Sequence, residues 1–174
     1  MIFGFFDRKN KAKAKRIYDV LAPLSRQEVF YTEMGVPDTL DGRYEMRCLV
    51  VALTIIRLNQ LGGEGRTLGQ RVFDVMFKAT ELSLREVGVG DLSVPKHMRR
   101  MMQGFNGRII TLDEALQSDQ SEKKLENHLR RNLYSTADTI NDEHVQLMVR
   151  FVKDYHQQLA TRTMDDFAKA DIPT

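Results

Sequence analysis

The sequence predicts an all-α protein, a single-domain bundle of about six or seven helices. Three observations predict it. Apolar residues recur three and four positions apart through most of the chain, with no convincing alternation of period two. The longest apolar run, Cys48 to Ile56, sits in a segment whose apolar residues cover most of a helix circumference. Capping residues, glycines and prolines punctuate the chain at helical lengths.

Taken in order, Ile17, Val20, Leu21 and Leu24 share one helix face, with Pro23 near its end. Ser25 followed by Glu28 has the spacing of a capping box. Val29 and Phe30 open a short apolar run that stops at Gly35. Val36-Pro37-Asp38 is a connection, because a residue before proline avoids the α region. The next helix runs from about Thr39 to Leu61, and Gly62-Gly63-Glu64-Gly65 breaks it. Being apolar all round, it belongs at the centre of the fold. Leu68, Val72, Val75, Met76, Ala79 and Leu82 mark another helix, stopped by Gly88 at a C′ position. Gly88 to Ser93 is a connector, and Pro95 suits a first helical turn. The helix from about Val94 is expected to be interrupted or kinked near Gly104 and Gly107, and Thr111 with Glu114 gives a capping signal. Ser121 is expected to cap a helix carrying Leu125, Leu129 and Leu133. Asn141 caps the last long one, which aligns Val145, Met148, Val149, Val152, Tyr155 and Leu159. Thr163 and Asp166 repeat the capping pattern before a short tail.

The 174 residues favour one domain, and 42% hydrophobic with 29% charged content supplies a real core and excludes a disordered tail. One cysteine, Cys48, rules out an internal disulfide framework and favours a reducing compartment. The net charge of +2 is unevenly spread. Residues 1–16 hold Arg8, Lys9, Lys11, Lys13, Lys15 and Arg16 against Asp7, a net +5, while the rest of the chain is a net −3. The expected organisation is a basic arm over 1–16, tipped by Ile2, Phe3, Phe5 and Phe6, and a helical domain over 17–170. The arm's apolar residues precede its cations, the reverse of a secretory signal. No run approaches the roughly 20 apolar residues of a spanning helix. The expected location is the cytoplasm, with peripheral contact to an inner membrane surface.

The chain offers little to catalysis. A bundle di-iron site requires paired Glu-x-x-His motifs, and none is present. His97, His128, His144 and His156 lack metal-ligand spacing and read as surface or capping residues. There is no P-loop and no Gly-x-Ser-x-Gly, and Gly88-Val89-Gly90 follows a helix where a dinucleotide motif follows a strand. Cys48 lies in the most apolar helix, where a thiol is inert packing. No catalytic, metal or cofactor residue is assigned.

Two features stand out instead. Over residues 94–109, Met98, Met101, Met102, Phe105 and Ile109 recur on one face, beside a face with Lys96, Arg99, Arg100 and Gln103 that Arg108 extends. No acid lies between Asp91 and Asp113. The apolar stripe is either core or an adaptable receptor for an apolar client, since methionine repacks against varied partners. The cationic strip, without a local anion, points to an anionic partner. The second feature is the arm. Phe3, Phe5 and Phe6 with Arg8, Lys9, Lys11, Lys13, Lys15 and Arg16 supply the two signals that reversible membrane attachment takes. The alternatives are packing on the protein's own body or on a second copy, or binding RNA phosphates.

Leu84-Arg85-Glu86-Val87-Gly88-Val89-Gly90-Asp91-Leu92-Ser93-Val94-Pro95-Lys96-His97-Met98, continuing to Phe105-Asn106-Gly107-Arg108, resembles the ubiquinol–cytochrome c chaperone family. Gly90 to Lys96 is the most specific part, and the likeness extends from about Arg16 to Asp154. Members include a mitochondrial assembly factor of the cytochrome bc1 complex and proteins of α-proteobacteria, and the short arm is similar to the bacterial branch. The resemblance implies an all-helical, non-enzymatic assembly chaperone that uses no cofactor. It would bind cytochrome b or a related apolar client at the inner membrane surface. It carries Asp91, Lys96, Met98, Arg99 and Arg108 into a candidate partner surface, with Ser93 and Pro95 starting the helix and Asp91 capping it. The residue pattern adds Arg100, Met102 and Phe105. The expected partners are cytochrome b or another bc1 subunit, an anionic membrane surface and the ribosome, with no small-molecule substrate. A ribosome- or nucleic-acid-associated helical protein without a specific client is the alternative.

Overall fold

A computed structural model describes the backbone of residues 2–174 and the side chains from Lys9 onward. The helices are α1 (Ile2–Leu24), α2 (Glu28–Thr32), α3 (Leu40–Gln60), α4 (Gly62–Glu86), α5 (Val94–Leu116), α6 (Ser121–Arg131), α7 (Asp142–Ala160) and α8 (Met164–Lys169). Among the described residues there is no strand, and six of the eight helices have seven residues or more. The fold is a single all-α domain.

The apolar helix lies at the centre. Every residue from Cys48 to Ile56 is buried, and α1, α4, α5 and α7 pack around α3. Thr54, its one hydroxyl in that run, donates to the Val50 carbonyl at 2.9 Å and so enters the core without an orphan donor. Thr39 caps the start of the helix by accepting from the Gly42 amide. At the other end, Gly62 takes φ +89°, which turns the chain into α4. Gly65 then passes so close beneath α3 that a Cβ there would run into the Leu58 carbonyl oxygen. Aromatic contacts tie the outer helices together. Phe77 of α4 meets Phe105 of α5 edge-on at 5.7 Å, and Phe30 of α2 meets Phe151 of α7 at 4.8 Å.

The C-terminal segment is locked back by long-range bonds. Arg57 donates to the Arg162 carbonyl at 2.8 Å, and Arg16 donates to the Ala168 carbonyl at 2.9 Å. Tyr134 donates to the Met34 carbonyl at 2.7 Å, pinning the end of α6 to the loop before α3. Thr163 and Asp166 form the capping box that their spacing predicts, and the Asn141 side chain accepts from the Glu143 amide.

Several local expectations are corrected. Ser25 does not cap α2; it is fully buried and donates back to the Ala22 carbonyl, and Gln27 holds the N-cap position without a side-chain bond. Thr111 lies inside α5, which runs unbroken past Gly104 and Gly107, and its hydroxyl turns back to the Gly107 carbonyl. Packing of Phe105, Leu112 and Ala115 on the core outweighs the local breaking signal there. Ser121 is the first residue of α6 and Gln120 its N-cap. Residue 16 lies within α1, a single helix from Ile2 to Leu24 on which Ala14 is fully buried.

The close approach at Gly65 makes a stability prediction. Gly65→Ala lowers the free energy of unfolding by about 2 kcal/mol. Gly63→Ala, whose Cβ meets nothing nearer than the tip of Arg66, raises it by about 0.5 kcal/mol. Urea denaturation of the two variants beside the parent measures both signs.

Candidate partner-binding site

The stretch 84–109 spans the end of α4, a connector and most of α5. α4 stops in a Schellman motif. Gly88 takes φ +86°, its amide bonds to the Arg85 carbonyl at 3.1 Å, and the Val89 amide bonds to the Leu84 carbonyl at 3.0 Å. Asp91 does not cap α5. It pairs with Arg85, which also holds Glu81 at 3.0 Å, so it braces the connector against α4. Ser93 sits at the N-cap without a side-chain bond, and Pro95 fills the first turn, where a missing amide hydrogen costs nothing.

This bracing presents Leu92 with 99% of its surface exposed. The connector thus has an apolar tip at Leu92; Val87, the C-cap of α4, and Leu82, within α4, are exposed as well. Sequence reasoning passed over Leu92 as part of a connector. The available signal was a large apolar residue in a Gly-rich loop with no helical partner at its own spacing.

Along α5 the two faces separate. Phe105 is fully buried, and Met98, Met101, Met102 and Ile109 are half-buried against the core. Lys96, Arg99, Arg100 and Gln103 are exposed. Among the described residues Lys96, Arg99 and Arg100 form no ion pair. Arg108 departs from the expected uncompensated strip. Its Nε donates to Glu45 Oε2 at 2.7 Å, and its Nη2 pairs with Glu45 Oε1 in a bidentate bridge between α5 and α3. Only tertiary packing brings these two together, 63 positions apart. Burial pushes the Glu45 carboxyl above the usual carboxylate range, and the Arg108 charge works against that shift.

One expected surface group, His128, is buried instead, while Cys48 lies in the core as its helix implies. His128 of α6 is 8% exposed, and its Nδ1 lies 3.0 Å from the Thr111 hydroxyl of α5. Burial, helped by the Arg108 and Arg131 charges, pushes its pKa down to about 4, so the ring is neutral. Cys48 is 1% exposed, and burial pushes its thiol up to about 12, which holds it protonated and unreactive.

The arm's side chains divide. Phe3, Phe5, Phe6 and Arg8 lie outside the described residues. Lys13 pairs with Glu64 at 3.7 Å, Lys15 with Asp19 at 2.7 Å, and Arg16 takes the Ala168 carbonyl. Lys9 and Lys11 also have interactions within the protein. Intramolecular partners therefore engage much of the charge expected to face outward. No described helix is long and apolar enough to cross a membrane. Among the described residues no His, Cys, Asp and Glu cluster is arranged to hold a metal ion.

The stretch is thus a braced helical scaffold with an exposed apolar residue in its connector and unpaired cations on the helix that follows. The chain belongs to the ubiquinol-cytochrome C chaperone family, whose model matches residues 32–173. It is 25% identical over 158 residues to the ubiquinol-cytochrome-c reductase complex assembly factor 1 of Xenopus laevis, covering 91% of this chain and 78% of that protein. The human protein of the same name is equally similar, but the chain spans only 52% of its length. Among solved structures, the Cbp3 homolog from Brucella abortus superposes with a TM-score of 0.82 at 32% identity, covering 99% of this chain and 95% of that one. The family is one of assembly chaperones, not enzymes.

Two measurements test this geometry. Arg108→Leu strands a buried carboxylate and costs about 3 kcal/mol, while Glu45→Leu with Arg108→Leu costs less than the single change, because no unpaired charge is left; a double-mutant cycle in urea reads the difference. His128 sets a pH dependence. Its folded pKa lies below the ordinary 6.5, so the unfolded chain takes up the proton first. The stability due to its neutral burial is complete above about pH 6.5, declines as pH falls, and levels off below about pH 4, a total of about 3 kcal/mol. His128→Gln flattens the unfolding profile across that window.

Proposed function

We propose that the protein is an assembly chaperone of the cytochrome bc1 complex that holds an apolar segment of cytochrome b at the membrane surface. The observation that carries the reading is the exposed Leu92 tip, with Val87 and Leu82 also exposed, just before the unpaired Lys96, Arg99 and Arg100 of α5. A fully exposed leucine held by a paired Asp91 and a Schellman turn is a cost the fold does not need for its own core. Burying it against a partner contributes about 1.5–3 kcal/mol. The half-buried Met98, Met101 and Met102 lie on the same helix and supply an adaptable apolar floor. Asp91 serves as a brace in this reading, Phe105 anchors α5 in the core, and Arg108 fixes α5 to α3. The cations would meet the anionic leaflet or acidic loops of the client. Phe3, Phe5, Phe6 and the cations of α1 would add a second membrane contact. Family membership supports the assembly role, and the name of the Xenopus laevis relative ties that protein to the reductase complex.

In a strain lacking the endogenous gene, Leu92→Asp or Lys96→Glu with Arg99→Glu is expected to lower assembled bc1 complex several-fold, with other respiratory complexes kept. All three residues are exposed and none forms an ion pair, so the protein level should stay normal. Blue-native gels with haem staining read the outcome, and normal bc1 levels in both variants would sink the reading. A photo-crosslinking residue at position 92 should capture cytochrome b; capture of ribosomal RNA in its place would favour the ribosome-associated alternative.

A further inference from the structure

A groove of about 500 Å³ runs between α5 and α6, away from the Leu92 tip. Gly104, Gly107 and Thr111 line it from α5, and Lys124, Asn127 and Arg131 line it from α6. Arg108 and His128 lie at its base. Both walls follow helical register: 104, 107 and 111 on one side, 124, 127 and 131 on the other. The Thr111–His128 contact fixes the helices beside each other at its middle.

Three observations point to a ligand. First, the guanidinium of Arg108 is only half used. Its Nε and Nη2 serve Glu45, while its Nη1 lies over Gly104, where a Cβ would collide with it. That nitrogen has no hydrogen-bond partner among the described residues, although the guanidinium carries five N–H donors. Second, Gly107 is not required by the fold. It sits in a helix interior, where glycine is weaker than alanine, and nothing lies within 4 Å of where its Cβ would be. Its effect is to leave the groove open. Third, the charge is one-sided. Lys124 and Arg131 form no ion pair, and Glu114 is the one acid in the lining. Arg100 stands one turn before Gly104 on the same helical stripe and extends the cationic end.

We propose that this groove docks an extended acidic segment of a partner protein, with its carboxylates on Arg131, the open edge of Arg108 and Arg100. Carboxylates pair bidentately with guanidinium edges; Arg108 and Arg131 line the groove, and Arg100 follows along α5. Arg100 and Arg108 are eight residues apart, about 12 Å along the helix. An extended chain puts every second side chain on one side about 7 Å apart, so acids four residues apart reach both. Asn127 and Asn132 line the groove with amides able to bond a peptide backbone. A nucleic acid fits worse. The lining has no Phe, Tyr or Trp on which bases would stack, and its one ring, that of His128, is only 8% exposed. This inference stands without the identity of the client proposed above, because its test does not read bc1 assembly.

The probe is a fluorescein-labelled decapeptide of alternating Glu and Gly, titrated with the full chain by fluorescence anisotropy. Its Gln counterpart is expected to bind at least tenfold more weakly. Arg131→Glu and Gly107→Leu should each weaken the acidic peptide at least tenfold, with thermal unfolding at or above that of the parent for Gly107→Leu. Lys169→Glu on α8 changes the net charge equally away from the groove and should leave binding within twofold. The proposal is overturned if the parent does not bind the acidic peptide, or if Lys169→Glu weakens it as much as Arg131→Glu. It is also overturned if oligouridine binds more tightly than the peptide and shows the same response to Arg131→Glu and Gly107→Leu.

Discussion

A helix that is apolar around its whole circumference has no face to give to water, and every other element must cover it. α3 is such a helix, with twelve of its residues buried. The bundle is the solution to that constraint: α1 and α4 cover one side, α5 and α7 the rest. The tight α3–α4 turn follows from it as well, since Gly65 lets the returning helix pass against the Leu58 carbonyl where any side chain would hold it away. The positions of the proposed surfaces are thus set by the centre of the molecule.

α5 shows how one helix serves both ends of that arrangement. Phe105, Leu112 and Ala115 seat it in the core, and the Glu45–Arg108 bridge fixes its rotation about its own axis. With the rotation fixed, Met98 and Met102 fall at the boundary of the core, Arg99 and Arg100 fall outside it, and Gly104 and Gly107 face α6. A half-buried ion pair is costly to desolvate, so its value here lies in orientation more than in net stability. Breaking it would disturb the tip and the groove together.

The two surfaces differ in chemistry as well as place. The tip carries Leu92 and Val87 in the open and suits an apolar segment. The groove is polar and cationic, and suits carboxylates. In the proposed reading the client and the acidic segment take separate sites and do not compete. His128 at the base of the groove is neutral and Cys48 in the core is protonated; burial has removed the charge that would make either reactive.

Periodicity was enough for the all-helical class, the central place of Thr39 to Leu61, the stop at Gly88 and the caps at Asn141 and Thr163, because these depend on neighbours within a turn or two. The family was also legible, in Gly90 to Lys96, as a string of residues rather than as a site. What sequence could not resolve were effects that depend on distant partners. Ser25 and Thr111 have the spacing of caps but turn back into their own helices, since tertiary burial decided where those helices begin and end. Arg108 reads as one more cation in a strip until folding brings Glu45 to it from 63 positions away. Leu92 reads as linker until the Asp91–Arg85 pair holds it out. Local spacing carries the information for local hydrogen bonds and apolar faces; charge pairing, burial and open space are sums over the whole fold, and only the tertiary structure evaluates them.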